Sequence, residues 1–195
     1  MILTGMMDSP FVRRAALALR LHGVAFEHRA LSVLRDAAAV SAFNPLGRAP
    51  VLSFADGTHL ADSRAIVEWV EAAHPMPGPE GEAFRELLAL EAVAIGVAEK
   101  AVARSAETRR AAPEAAELAR IDGQLARALD WLDARASGGW LIGGALTRAD
   151  LALACATTYI AEKHPGLGPD ARPGLAAHRA FCEARAPFKD LPFVA

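Results

Sequence analysis

The stretch Asn44-Pro45-Leu46-Gly47-Arg48-Ala49-Pro50-Val51-Leu52 decides how this chain is read. Its prolines and glycine rule out a helix and the middle of a sheet, while Val51 and Leu52 open a short apolar run, so the chain turns here and enters a strand. Working outward, a helix start stands on either side: Ser9-Pro10 upstream and Asp62-Ser63 downstream. Each places a capping side chain ahead of a helical segment, and the first amides of a helix have no intrahelical partner and attract anions. Three polar points are therefore expected to converge on one ligand.

Upstream, residues 2–5 read as a strand, and Pro10 at the first helical position begins a helix that runs to about Leu21 and stops at His22-Gly23. Residues 25–31 alternate weakly but complete a βαβ order as a strand, and residues 35–43 form a short helix ending before Pro45. Downstream, 51–54 and 59–61 make a hairpin around Asp56-Gly57, and 62–73 a helix whose apolar residues are Ile66, Val67, Trp69 and Val70. The order is βαβαββα over residues 1–74.

His74-Pro75-Met76-Pro77-Gly78-Pro79-Glu80-Gly81 suits neither helix nor sheet and marks a linker at 75–82. Residues 83–195 then read as all-helical. Phe84, Leu87, Leu88, Ile95, Ala98 and Val102 recur at helical spacing, as do Leu118, Ile121, Leu125, Leu129 and Leu132. Thr147-Arg148-Ala149-Asp150 has the spacing of a capping box, flanked by Leu146 and Leu151 as a hydrophobic staple. The helix it begins, 151–163, is apolar on nearly every side, which marks a central helix. A last helix spans 173–184, and 187–193 form an irregular tail.

A hydrophobic share of 53% in 195 residues supports real cores without staples, and a net charge of -2 argues against a nucleic-acid binder. Cys155 and Cys182 sit in Ala-rich helical segments with no metal-ligand spacing and read as reduced core thiols. The histidines at 22, 28, 59, 74, 164 and 178 are scattered and read as surface or loop residues, so no metal site is expected. Without a signal-like N-terminus or an apolar span, the expectation is a cytoplasmic protein that does not enter a membrane.

The βαβαββα unit, the proline before the third strand, the Pro-rich linker and the helical second half resemble the glutathione transferase superfamily over almost the whole chain. The local carriers are Ser9-Pro10-Phe11-Val12-Arg13-Arg14, the 44–52 stretch, Asp62-Ser63 with its helix, and Thr147-Arg148-Ala149-Asp150. The resemblance implies an α/β thioredoxin-like N-terminal domain that holds glutathione, and an all-α C-terminal domain contributing the site for an electrophile. It implies a cis Pro50, with the backbone of Val51 pairing the cysteinyl part of glutathione. Ser9 would donate a hydrogen bond to the thiolate, and Ser63 would hold the γ-glutamyl carboxylate while Asp62 faces the α-amino group.

The same residues have plainer readings. Ser9 and Asp62 are also ordinary helix caps, and Arg48 is either a ligand for the glycyl carboxylate or a solvated loop arginine. Arg13 and Arg14 follow Ser9 by one helical turn, a spacing that does not decide between the ligand and a subunit interface, and they read first as solvated surface charge; Thr147 and Asp150 read as helix initiation alone. The function implied is a glutathione transferase of the detoxification type, joining glutathione to a small hydrophobic electrophile as a homodimer, with glutathione as co-substrate and no metal. The alternatives are a non-catalytic binding module of the same fold, or a glutathione-dependent isomerase or dehalogenase.

Overall fold

The computed structural model describes residues 1–194. The chain divides into two compact units, Met1–Pro77 together with the C-terminal residues from Pro187 onward, and Gly78–Ala186.

In the first unit the elements are β1 (Ile2–Thr4), α1 (Pro10–Leu21), β2 (Glu27–Arg29), α2 (Ala37–Ser41), β3 (Val51–Ser53), β4 (His59–Ala61) and α3 (Ser63–Ala73). The sheet order is β2-β1-β3-β4, with β1 parallel to β2 and antiparallel to β3, and β3 antiparallel to β4. This is the thioredoxin-like βαβαββα arrangement. β2 is shorter than the 25–31 expected because it lies at the sheet edge and pairs only from Glu27 to Arg29. α1 packs on α3, and Val12, Ala16, Leu17, Ile66 and Val70 are buried with Leu3, Val51 and Leu52 of the sheet.

Two arginines read as surface charge are in fact buried: Arg13 is 1% exposed and Arg14 2%. Arg13 Nε donates to Leu191 O at 2.9 Å and its guanidinium lies 5.9 Å from the Phe188 ring centre. The tail from Pro187 thus belongs with α1, although its position in the chain groups it with the helices. Local periodicity carries no trace of a partner so remote in sequence.

The second unit holds α4 (Gly81–Thr108), α5 (Ala115–Asp133), α6 (Arg148–Lys163), two 3-10 turns at Pro165–Leu167 and Pro169–Ala171, and α7 (Pro173–Glu183). α6 is buried without interruption from Ala149 to Ile160 and packs on both α4 and α7, so it is the central helix its composition announces. The capping box is complete: the Thr147 side chain accepts from the Asp150 amide, and Asp150 Oδ2 accepts from Thr147 N at 2.8 Å and also from Thr147 Oγ1 at 2.8 Å. Asp150 also accepts from Leu141 N at 2.9 Å and from His178 Nε2 at 3.0 Å, so this buried carboxylate ties the preceding loop and α7 to the start of α6.

His164 and His178 are buried, contrary to the surface reading. Among the described residues no group of His, Cys, Asp and Glu can hold a metal ion. His164 caps α6 and accepts from Arg104 Nη1 at 3.3 Å through Nδ1, which leaves its Nε2 proton for Ser105 Oγ and Ala101 O. Ser105 Oγ in turn meets Tyr159 OH at 2.7 Å.

Burial pushes the His164 pKa below its ordinary 6.5, the Ala101 carbonyl opposes that shift, and the nearby Arg104 charge adds to it. The unfolded chain therefore takes up a proton first as pH falls. Stability is full above about pH 6.5 and declines below it until the folded-state pKa is passed. In urea titrations at pH 7 and pH 5.5, His164→Gln is expected to lose less stability between the two pH values than the parent. Equal losses would remove this assignment.

Candidate functional site

The first unit gathers its polar groups at the C-terminal end of β1 and the N-terminal ends of α1 and α3. Beyond β1 the chain passes Gly5, which has φ 139°. A Cβ there would stand 2.5 Å from Val12 Cγ2 and 2.9 Å from Ala49 Cβ, so only glycine lets the 44–50 loop and the start of α1 close on each other.

Ser9 follows a turn in which its amide donates to Met6 O at 3.1 Å. Its extended backbone (φ -73°, ψ 127°) suits an N-cap, with Pro10 at the first helical position. Ser9 Oγ accepts from Val12 N at 3.4 Å, a long bond that uses one lone pair and leaves the hydroxyl proton for a ligand. Capping and donation to a thiolate are thus compatible in one side chain.

Asn44 organises the loop whose sequence decides the fold, a role that sequence reading missed. It is 5% exposed, donates from Nδ2 to Arg48 O at 2.9 Å and accepts Leu46 N at 3.0 Å. Gly47, at φ 62°, donates to Asn44 O and completes the turn. The Asx-turn signature of Asn44-Pro45 was the available signal. Arg48 is exposed, and the Ala49–Pro50 bond is cis.

The pairing of β3 engages the backbone of Val51 within the sheet. Val51 lies opposite Thr4 of β1 and Ala61 of β4, inside the sheet. Pro50 O accepts from Asp62 N at 3.4 Å and Phe54 N donates to Thr58 O at 2.9 Å, both on the β4 side. Alternation along the strand therefore turns the amide and carbonyl of Val51 toward Thr4, where they are occupied. Ala49 lies beyond the last paired residue of β3, and no partner for its amide and carbonyl is found among the described residues. An extended peptide can pair there as an added strand segment.

Asp62 has φ 80° and ψ 135°, a positive φ that no other non-glycine described residue adopts. Its Oδ1 accepts Arg64 N at 2.7 Å and caps α3. Strain of this kind costs about 1–3 kcal/mol and persists where the surroundings or a function require it. Ser63, the first residue of α3, is 2% exposed and accepts from Arg14 Nη1 at 3.2 Å. Ser9, Ala49 and Ser63 thus supply a hydroxyl donor, an open peptide edge and a second hydroxyl at a helix N-terminus within one unit.

Both cysteines are free and buried. Burial, reinforced by the negative charge of Asp150, pushes the Cys182 thiol well above its usual range, which unfits it as a nucleophile. No helix is long and apolar enough to cross a membrane among the described residues.

The chain matches known proteins over the same extent. Residues 3–80 match the family description "Glutathione S-transferase, N-terminal domain" and residues 94–186 "Glutathione S-transferase, C-terminal domain". It is 32% identical over 166 residues, 82% of each chain, to the uncharacterized GST-like protein YibF of Escherichia coli. A glutathione S-transferase from Methylobacterium radiotolerans, solved with glutathione sulfonate, is 27% identical at a TM-score of 0.91, covering 100% of this chain and 95% of that one. Maleyl pyruvate isomerase, described as a zeta-class bacterial glutathione S-transferase, is 25% identical at a TM-score of 0.82, covering 98% and 96%. With a thioredoxin-like unit, a helical unit and both halves of the family pattern in register, this chain belongs to the glutathione S-transferase family.

Proposed function

We propose that this protein binds glutathione in its first unit and transfers the thiolate to a small hydrophobic electrophile. The observation that carries the reading is the capping geometry of Ser9, whose hydroxyl keeps its proton while accepting Val12 N. That proton meets the thiolate, the Ala49 amide and carbonyl pair the cysteinyl backbone, and Ser63 receives the γ-glutamyl carboxylate. Asp62 faces the α-amino group, and Arg48 is the candidate for the glycyl carboxylate. Ala49 takes the place given to Val51 by sequence. Thr147 and Asp150 serve folding, and no metal takes part in the proposed reaction.

The chemistry is orientation and activation. A free thiol with a pKa near ~8.5 is only a few per cent ionised at neutral pH, and each unit of depression needs about 1.4 kcal/mol of preference for the thiolate. The thiolate attacks the electrophilic carbon, forms the C–S bond and expels the leaving group. We read the protein as a cytoplasmic homodimer; Phe84 and Leu88, exposed on one face of α4, suit a subunit contact.

Glutathione-dependent isomerisation is the second reading, supported by the likeness to maleyl pyruvate isomerase. There the thiolate adds to the substrate and leaves again, so glutathione is not consumed. Retention on immobilised glutathione, with turnover of a generic aromatic electrophile that consumes glutathione, is expected for the transferase. Binding and isomerisation without consumption would favour the second reading. Loss of both binding and turnover would leave a non-catalytic module of this fold.

Asp62 allows strain and binding to be separated. Asp62→Ala loses the cap and keeps a Cβ at positive φ, and is expected to cost about 1 kcal/mol. Asp62→Gly relieves the strain at a capping cost of only a few tenths, and is expected to leave stability unchanged or raise it by up to ~1 kcal/mol. Both weaken glutathione binding. Thermal melts and calorimetric titrations check the pair, and equal destabilisation by Gly and Ala would mean that the backbone there is not strained.

A further inference from the structure

Arg14 is a charged side chain almost wholly inside the first unit, and its Nη1 donates to Ser63 Oγ at 3.2 Å. The bond joins α1 to the first residue of α3. A guanidinium only donates, so it occupies a lone pair of the Ser63 oxygen and cannot receive the hydroxyl proton. As the first residue of its helix, Ser63 has no helical carbonyl one turn back to receive that proton. No acceptor for it is found among the described residues.

We propose that Arg14 is a positioning residue for the carboxylate end of the ligand: it holds Ser63 Oγ as an acceptor on its inner side, so that the hydroxyl proton is directed outward to a carboxylate. This rests on the reading of glutathione as the ligand and adds a residue to it. The hydrogen bond from a charged donor polarises the hydroxyl and strengthens the bond it makes in turn. The ligand chemistry that profits is an α-carboxylate, as in the γ-glutamyl group, and not the thiol end, which Ser9 serves.

The test is calorimetric titration of the full-length protein with two ligands: glutathione, and 4-aminobutanoyl-cysteinylglycine, which has hydrogen in place of the γ-glutamyl α-carboxylate. Arg14→Met is expected to weaken glutathione about tenfold, the scale of one charge-assisted hydrogen bond, and to leave the analogue's affinity unchanged. In combination with Ser63→Ala the losses do not add. Arg14→Lys keeps charge and stem and is expected to show a smaller loss of the same selectivity.

A merely structural arginine would weaken both ligands alike, and that result, or unchanged glutathione affinity, overturns the proposal. Should Arg14→Met fail to fold, the ratio of the two affinities in Arg14→Lys decides: a fall supports the role, an unchanged ratio overturns it. If the parent protein binds neither ligand, the glutathione reading itself falls. If the parent binds glutathione and the Arg14 variants keep its selectivity, only the role of Arg14 falls.

Discussion

Ser9→Ala is expected to raise the pKa of bound glutathione by about one to two units, the effect of losing one charge-assisted hydrogen bond of about 1.5–3 kcal/mol. At a pH below both pKa values the thiolate fraction, and hence the conjugation rate at saturating glutathione, falls about 10- to 100-fold, and it falls less where the parent's bound thiol is already ionised. Affinity falls less, because Ala49 and Ser63 hold the rest of the tripeptide. The substitution also removes the cap accepting Val12 N at 3.4 Å, which costs about 1 kcal/mol of stability and leaves the protein folded. Ultraviolet titration of the thiolate in the complex separates the two effects. The rate deficit should shrink as pH rises past the new pKa, whereas a deficit constant with pH would place the role of Ser9 in binding or folding alone.

Asp150→Ala is expected to be the most destabilising single change considered. The carboxylate is fully buried and accepts from Leu141 N, Thr147 N, Thr147 Oγ1 and His178 Nε2 at 2.8–3.0 Å. Its removal strands those donors without water, for a loss of about 3–5 kcal/mol, and at this chain length each kcal/mol lowers Tm by about 2–4 °C. A fall on the order of 10 °C follows. Asp150→Asn keeps one acceptor oxygen but turns an amide toward donors, and should fall between the parent and alanine. Below its own transition the alanine variant should still take up glutathione, since every group assigned to that ligand lies in the first unit. A shift in Tm under 3 °C would mean that the four contacts are not the anchor of α6.

The elements were legible wherever periodicity and punctuation agreed. Ser9-Pro10 and Thr147-Arg148-Ala149-Asp150 announce their helix starts, and the 151–163 segment, apolar on nearly every side, announces a central helix, buried as far as Ile160. What escaped depends on neighbours remote in sequence. Arg13 and Arg14 follow a cap by one turn and look like solvent-facing charge, yet one meets the chain's last residues and the other meets Ser63. His178 shares its helix with alanines, and only the fold brings Asp150 to it. The proposed exchange of Val51 for Ala49 has another cause: the backbone of Val51 is taken up by its pairing with Thr4 of β1, and where that pairing stops is not written in the apolar pattern.

A crystal structure of the complex tests most directly where glutathione lies. The expected result is a sulfur within hydrogen-bonding distance of Ser9 Oγ, the cysteinyl amide and carbonyl paired with Ala49, and the γ-glutamyl carboxylate on the Ser63 hydroxyl. A complex with the sulfur away from Ser9, or with Ala49 unengaged, would contradict it.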